Sequence, residues 1–365
     1  MPGVYISYPF CGQKCSFCNF ASGVFSADLE REYVNALVAE IRSFAFPWHP
    51  ETVYIGGGTP SRTASADLLR ILGAVPGNPW REATLEAAPG SLTPEAVDAW
   101  VSAGINRVSL GVQSFMAREL ASTGRRHDAA TAEADCQLLR SRGIAEINID
   151  LIVGLPHQTE LSLVESLDWI ERLQPPHVSV YLFEVDEDSR LGLEVLQGGR
   201  KYSASSVPDG DRMAGMYQLA VDRLETLGIH RYEISNFARP GSESRHNLKY
   251  WQLEPYVGFG ADAHSFLNGL RWGNVETAAE YVARWQLHRP PALDATLAIP
   301  EDEKFFVGLR LMNGVPVSAE DYARYGEAID RFTEAGLLIR SEDRIALTDR
   351  GVLLSNEVCQ EFLSD

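Results

Sequence analysis

Short apolar runs rich in β-branched and aromatic residues alternate, over the first half of the chain, with stretches whose apolar positions recur at helical spacing. Residues 4–8 (Val-Tyr-Ile-Ser-Tyr) predict a strand, and over 28–45 the positions Leu29, Tyr33, Leu37, Ile41 and Phe44 fall near a helical period. The same alternation predicts strands at 53–55, 84–86, 107–112, 146–153 and 177–183. Helices are predicted at 65–72, from Thr93, from about Asp128 and at 160–173. Strands and helices alternating at this spacing give a parallel β/α architecture, and six repeats before residue 185 fit a partial (β/α)6 barrel.

Beyond residue 185 the pattern changes. Residues 195–210, polar and Gly/Ser-rich, predict a loop, and an amphipathic helix over 211–227 ends at Gly228. Residues 232–274 are dense in His, Asn, Tyr, Trp and Gly, and Arg289-Pro290-Pro291 reads as a linker. The last stretch predicts a helix at 301–311 and a helix pair over 318–337. A hairpin follows, with 337–339 facing 345–347 across Ser341-Glu342-Asp343: a small winged-helix-like domain. The expected division is 1–230 for the barrel, 231–290 for the His- and aromatic-rich segment, and 291–365 for the C-terminal domain.

Composition narrows the class. A chain of 365 residues with 45% hydrophobic content can bury a large core. No apolar run reaches the roughly 18 residues of a membrane span, and no basic-then-apolar leader opens the chain, so a cytoplasmic protein is expected. Five cysteines, an odd number, make no disulfide framework. A net charge of −18 argues against a nucleic-acid surface.

The densest chemistry lies in Cys11-Gly12-Gln13-Lys14-Cys15-Ser16-Phe17-Cys18, three thiols in a C-x3-C-x2-C run. Pro9 and Gly12 favour a loop over one helical face carrying all three. Structural zinc is the competing reading, but it takes four closed ligands, and the remaining cysteines, Cys136 and Cys359, are far off in sequence. Three thiolates suit a 4Fe–4S cluster with one iron left open to a small molecule. This run, with an aromatic residue before its last cysteine, resembles the signature of the radical S-adenosylmethionine (SAM) superfamily. The resemblance implies that the open iron chelates SAM and that one electron cleaves the sulfonium to a 5′-deoxyadenosyl radical.

Gly56-Gly57-Gly58-Thr59-Pro60 follows a predicted strand, where glycines permit close backbone approach. It resembles the superfamily's element for the methionine amino group, with Thr59 in place of the usual acidic residue, as in the coproporphyrinogen-oxidase-like branch. Glu86, Gln113, Arg125 and Asp150 fall at or just after strand ends, which share one open face in a parallel barrel. Their contexts resemble the same branch. That implies a SAM site made by Gly57, Gly58, Thr59, Glu86, Gln113, Arg125 and Asp150, with Tyr5 and Phe17 lining it.

Two kinds of protein share that branch. Oxygen-independent coproporphyrinogen III oxidases carry a further cysteine where this chain has Phe20, and an N-terminal extension that is missing here. The other kind is the radical SAM haem chaperones, which this sequence resembles over essentially its whole length. Its most specific feature is His246-Asn247-Leu248-Lys249-Tyr250-Trp251, matching the chaperone signature H-N-x-x-Y-W. The resemblance implies that His246, Asn247, Tyr250 and Trp251 bind haem, with His264 a second candidate ligand. It also implies haem-accepting partners such as respiratory enzymes, and leaves a homodimer open. The reading is a carrier more than an enzyme; the alternative is oxidative decarboxylation of coproporphyrinogen III.

Overall fold

The first six strands each bury one set of alternate side chains against helices and turn the other set toward a shared interior. They are β1 (Gly3–Tyr8), β2 (Thr52–Gly57), β3 (Glu82–Ala87), β4 (Arg107–Gln113), β5 (Glu146–Val153) and β6 (His177–Leu182), paired in parallel in that order. The computed structural model describes residues 1–341 and 343–363. Val4, Ile6, Val53, Ile55, Leu85, Val108, Leu110, Ile147, Ile149, Val178 and Val180 are buried in the main core. The helices covering them are α1 (Ala27–Ser43), α2 (Ser65–Leu72), α3 (Pro94–Ser102), α4 (Ala117–Ser122), α5 (Ala129–Ser141) and α6 (Glu160–Leu173). Side-chain caps set the starts of α1, α3, α5 and α6: Ser26 accepts from the Leu29 N–H, Thr93 from Ala96, Asp128 from Thr131, and Thr159 closes a capping box with Ser162.

The opposite set is polar. Asn148, on β5, donates to Ser109 Oγ at 2.7 Å and to Asp150 Oδ1 at 2.7 Å, and its carbonyl oxygen lies 2.7 Å from His177 Nδ1. His177 Nε2 lies 2.9 Å from the Tyr232 hydroxyl. The lumen is therefore a hydrogen-bonded column running from one end of the barrel to the other.

Two expectations for the middle of the chain change. Residues 195–210 carry the end of α7 (Arg190–Leu196) and, over Lys201–Ser206, short 3₁₀ turns broken by a kink at Tyr202 and Ser203, because Ser189 caps α7 and Glu194 accepts from the Lys201 N–H. The segment 231–290 does not stand apart from the barrel. After α8 (Gly210–Thr226), β7 (His230–Arg231) and β8 (Asn236–Ala238) continue the sheet beyond β6. Then α9 (Arg245–Trp251) intervenes, and β9 (Tyr256–Phe259), β10 (His264–Leu267) and β11 (Leu270–Gly273) continue it beyond β1. After α10 (Ala278–Gln286), the Pro290-Pro291 stretch is packed as well: Pro291 O accepts from the Val275 N–H, and β12 (Thr296–Leu297) pairs with β11.

The C-terminal part comprises α11 (Pro300–Gly308), β13 (Val315–Pro316), α12 (Ala319–Glu334), β14 (Leu338–Arg340), β15 (Arg344–Leu347), α13 (Asp349–Leu353) and α14 (Ser355–Gln360). The expected helix pair over 318–337 is the single helix α12, which buries Tyr325 and Ile329 on one side. The hairpin forms with Leu338 opposite Leu347, and Glu342 of its turn lies outside the described residues. This part is stitched to the barrel: Arg310 O accepts from the Ile234 N–H at 3.0 Å, and Tyr232 O from the Met312 N–H at 3.1 Å. No helix among the described residues is long and apolar enough to cross a membrane.

Candidate functional site

The C-terminal ends of β1 to β6 open into a cavity of about 380 Å³. Cys11, Cys15 and Cys18 line it from the loop between β1 and α1. Backbone bonds hold that loop: Cys11 N–H to Gly23 O at 2.8 Å, Ser16 N–H to Thr123 O at 3.2 Å, and Leu191 N–H to Ser16 O at 2.8 Å. All three thiols are free, whereas Cys136 and Cys359 are buried elsewhere. Burial pushes the Cys15 thiol up while the Arg125 charge pulls it back. Among the described residues no three His, Cys, Asp or Glu side chains converge tightly enough for a single metal ion. A polynuclear cluster, in which each thiolate binds a different iron, does not require that convergence.

Phe17, Gly57, Gly58, Thr59, Glu86, Gln113, Arg125 and Asp150 line the same cavity, so residues far apart in sequence converge there. Gly57 has φ +109°, a conformation open to glycine, and its N–H donates to Glu86 Oε2 at 3.1 Å. The Tyr54 hydroxyl donates to Glu86 Oε1 at 2.9 Å. Burial, then the nearby Asp150 charge, pushes Glu86 up to about 7. Asp150 accepts from Ser109 at 3.0 Å, and burial raises its carboxyl. The Arg125 guanidinium sits 5.9 Å over the Phe17 ring and lowers both Cys15 and Asp150, and its Nε is buried without a hydrogen-bond partner among the described residues. A buried, unpartnered guanidinium N–H at a cavity fits an anionic group such as a ligand carboxylate.

Tyr5 stands beside Tyr54 in the β1–β2 register, its ring stacked on the Tyr54 ring at 6.2 Å, and Tyr54 is the one of the two that lines the cavity.

The H-N-x-x-Y-W segment lies at the other end of the barrel. It forms α9, which plugs the lumen where the strands begin. Glu82, the first residue of β3, accepts the N–H groups of Arg245 at 3.0 Å and His246 at 2.9 Å. His246 is 1% exposed: Nδ1 lies 2.8 Å from Thr52 Oγ1 and Nε2 lies 2.8 Å from the Tyr250 hydroxyl. With both ring nitrogens engaged, no lone pair faces outward for an iron. Burial, reinforced by Lys249, pushes the imidazole down to about 3, so it is neutral. Tyr250 packs edge-on to Tyr256 at 4.6 Å, and the Arg310 guanidinium lies 4.4 Å over Trp251. The Tyr250 and Trp251 side chains are half-buried, each with a ring or guanidinium neighbour packed against it. Asn247 sits in the first turn, its N–H on the Ser244 cap. His264 is exposed on β10, away from the cavity lining.

Tyr54, Ser109 and Tyr181 also line the cavity, and sequence reasoning passed over them. The signal was present: polar residues recur at alternate positions of strands that are otherwise apolar, at Ser109, at Asn148 and Asp150, and at Ser179 and Tyr181. A parallel strand covered by helices carries such a set only if the interior holds a polar site.

A parallel half-barrel with three thiols at the carboxyl ends of its strands defines a radical SAM protein, and the model of the Radical SAM superfamily matches residues 5–170. The chain is 35% identical to the heme chaperone HemW of Bacillus subtilis, with all of both chains covered. It is 35% identical to that of Mycobacterium tuberculosis, over 99% of this chain and 94% of the relative. The chain belongs to the HemW family of radical SAM proteins. A solved structure of the Escherichia coli coproporphyrinogen III oxidase HemN, described as a radical SAM enzyme, has the same fold at a TM-score of 0.85 and 22% identity. That match covers 99% of this chain and 90% of the other.

Proposed function

We propose that this protein is a cytoplasmic haem carrier that holds a 4Fe–4S cluster and SAM at the mouth of its barrel, binds haem, and passes it to haem-requiring proteins. One observation carries the cofactor part: Cys11, Cys15 and Cys18 share a single cavity with Glu86, Arg125 and Asp150. The three cysteines would hold the cluster, Arg125 would pair with the SAM carboxylate, and Asp150 would reach its ribose or adenine side. The Gly57 to Thr59 backbone would meet the amino group. When bound, the cluster supplies the electron that cleaves SAM.

The haem part is supported by full-length similarity to relatives named heme chaperone HemW. The oxidase reading has the fold in its favour, from a match at 22% identity. Against it stands Phe20, 65% exposed at the cavity rim, where the resemblance places the oxidase's additional cysteine. An axial bond from His246 to haem would require α9 to leave the lumen, since both imidazole nitrogens are taken within it.

The test is transfer. Haem-loaded protein, mixed with an apo haem protein whose holo spectrum is distinct, should lose its Soret band as the acceptor gains one. Haem that stays put, or that moves no faster than free haem in buffer, contradicts a carrier.

A further inference from the structure

The signature segment stands at the barrel floor, yet its contacts run to the SAM site. His246 lies beside the first residues of β1 and β2: a Cβ placed on Gly3 would sit 3.2 Å from its Cε1, and its Nδ1 is on Thr52. The imidazole stacks on Tyr54 at 5.3 Å with the planes 28° apart. Tyr5 stacks on Tyr54 as well, at 6.2 Å and 27°. The phenol ring is flanked by two flat groups, and its hydroxyl is directed at Glu86. Glu86 in turn holds the Gly57 N–H, and a Cβ on Gly56 would lie 2.9 Å from Glu86 Oε1, so the carboxylate is wedged against the glycine turn.

We propose that His246 is a positioning residue for SAM, acting through Tyr54 and Glu86 on the glycine turn at the end of β2. This rests on the reading above that SAM lies against Gly57 and Glu86. The anchoring of α9 is what makes the imidazole a fixed support. Glu82 holds the start of the helix, and the buried Lys249 ammonium pairs with Glu51 at 2.9 Å and Glu254 at 2.7 Å. Tyr250 closes the arrangement by engaging Nε2, which sets the ring plane that Tyr54 rests on. Remove the imidazole and Tyr54 can settle into the space left in the lumen, taking its hydroxyl from Glu86. Disturbing a hydrogen bond of this kind, one step removed from the ligand, corresponds to about fivefold to tenfold in affinity.

The experiment measures SAM affinity by equilibrium dialysis on the cluster-loaded full chain, with iron content and melting temperature recorded for every variant. His246→Leu removes the ring and its bonds. His246→Gln keeps a partner for Thr52 and Tyr250, and so the fold, but loses the stacking face. Both should weaken SAM binding about fivefold to tenfold at unchanged iron content. In a Glu86→Gln background, either should cost less than about twofold more, because the route already ends at Glu86.

A loss of the same factor in both backgrounds shows a general structural role and overturns the proposal, as does unaltered affinity in the single variants while Glu86→Gln binds weakly. If Glu86→Gln alone leaves SAM affinity as it was, the SAM site itself is misplaced, and the positioning role falls with it.

Discussion

Glu86 on β3 accepts a 3.1 Å hydrogen bond from the backbone N–H of Gly57 at the end of β2, so one carboxylate ties two barrel strands together at the lip of the cavity. The same carboxylate takes the Tyr54 hydroxyl at 2.9 Å. A cationic ligand resting on this turn meets a group whose charge is set by pH.

That charge gives a pH dependence with a definite sign. Burial and the Asp150 charge hold Glu86 at about 7. Without ligand the fold favours its protonated form, so its contribution to stability falls as pH rises from the usual carboxylate range through about 7. SAM, carrying a sulfonium and an ammonium, favours the ionised form. SAM affinity should therefore rise with pH through about 7 and level off above it. Titrations from about pH 5.5 to about pH 8.5 should show the rise in the native chain and a flat profile in Glu86→Gln.

The cluster assignment predicts which cysteines matter. Anaerobic reconstitution should load about four iron and four sulfide per chain. Cys11→Ser, Cys15→Ser or Cys18→Ser should abolish this loading, whereas Cys136→Ser and Cys359→Ser, altered at buried positions away from the cavity, should retain it. Iron analysis and the visible spectrum decide; loss of the cluster in the Cys136 variant would show a wrong ligand set.

Arg125 and Asp150 belong to the cavity but are not cluster ligands. Arg125→Ala and Asp150→Ala should weaken SAM binding roughly tenfold to a hundredfold, the range of a charge-assisted hydrogen bond, with iron content unchanged. Superimposable SAM titrations would remove them from the site.

At the barrel floor the expected effect on stability is large. His246→Ala leaves a void and unpairs Thr52 and Tyr250, which together should cost about 2–4 kcal/mol. A thermal melt should shift downward by several degrees. A melt like that of the native chain would mean that the imidazole is not held as described.

Much of this was legible in the sequence. The helices 65–72 and 160–173 and the strand 146–153 stand where periodicity puts them, because core-facing apolar spacing and caps such as Thr159 act locally. The convergence of Glu86, Gln113, Arg125 and Asp150 followed from strand ends sharing one face. The placement of 246–251 was not legible. An imidazole and two aromatic rings have the same composition whether they plug a lumen or stack on a porphyrin. What decides is the long-range pairing of Glu82 with the start of α9, which no local spacing encodes. Alternation turns Tyr5 inward as well, and the assembled barrel sets its ring beside that of Tyr54 on the neighbouring strand.

The central claim, a haem carrier built on a radical SAM barrel, is tested most directly by one parallel assay. Reconstituted protein is given haem in one vessel, and coproporphyrinogen III, SAM and a low-potential reductant in another. The account predicts stoichiometric haem uptake with a Soret band in the first and no protoporphyrinogen in the second. Steady formation of protoporphyrinogen, with no haem retained, would contradict it and restore the oxidase.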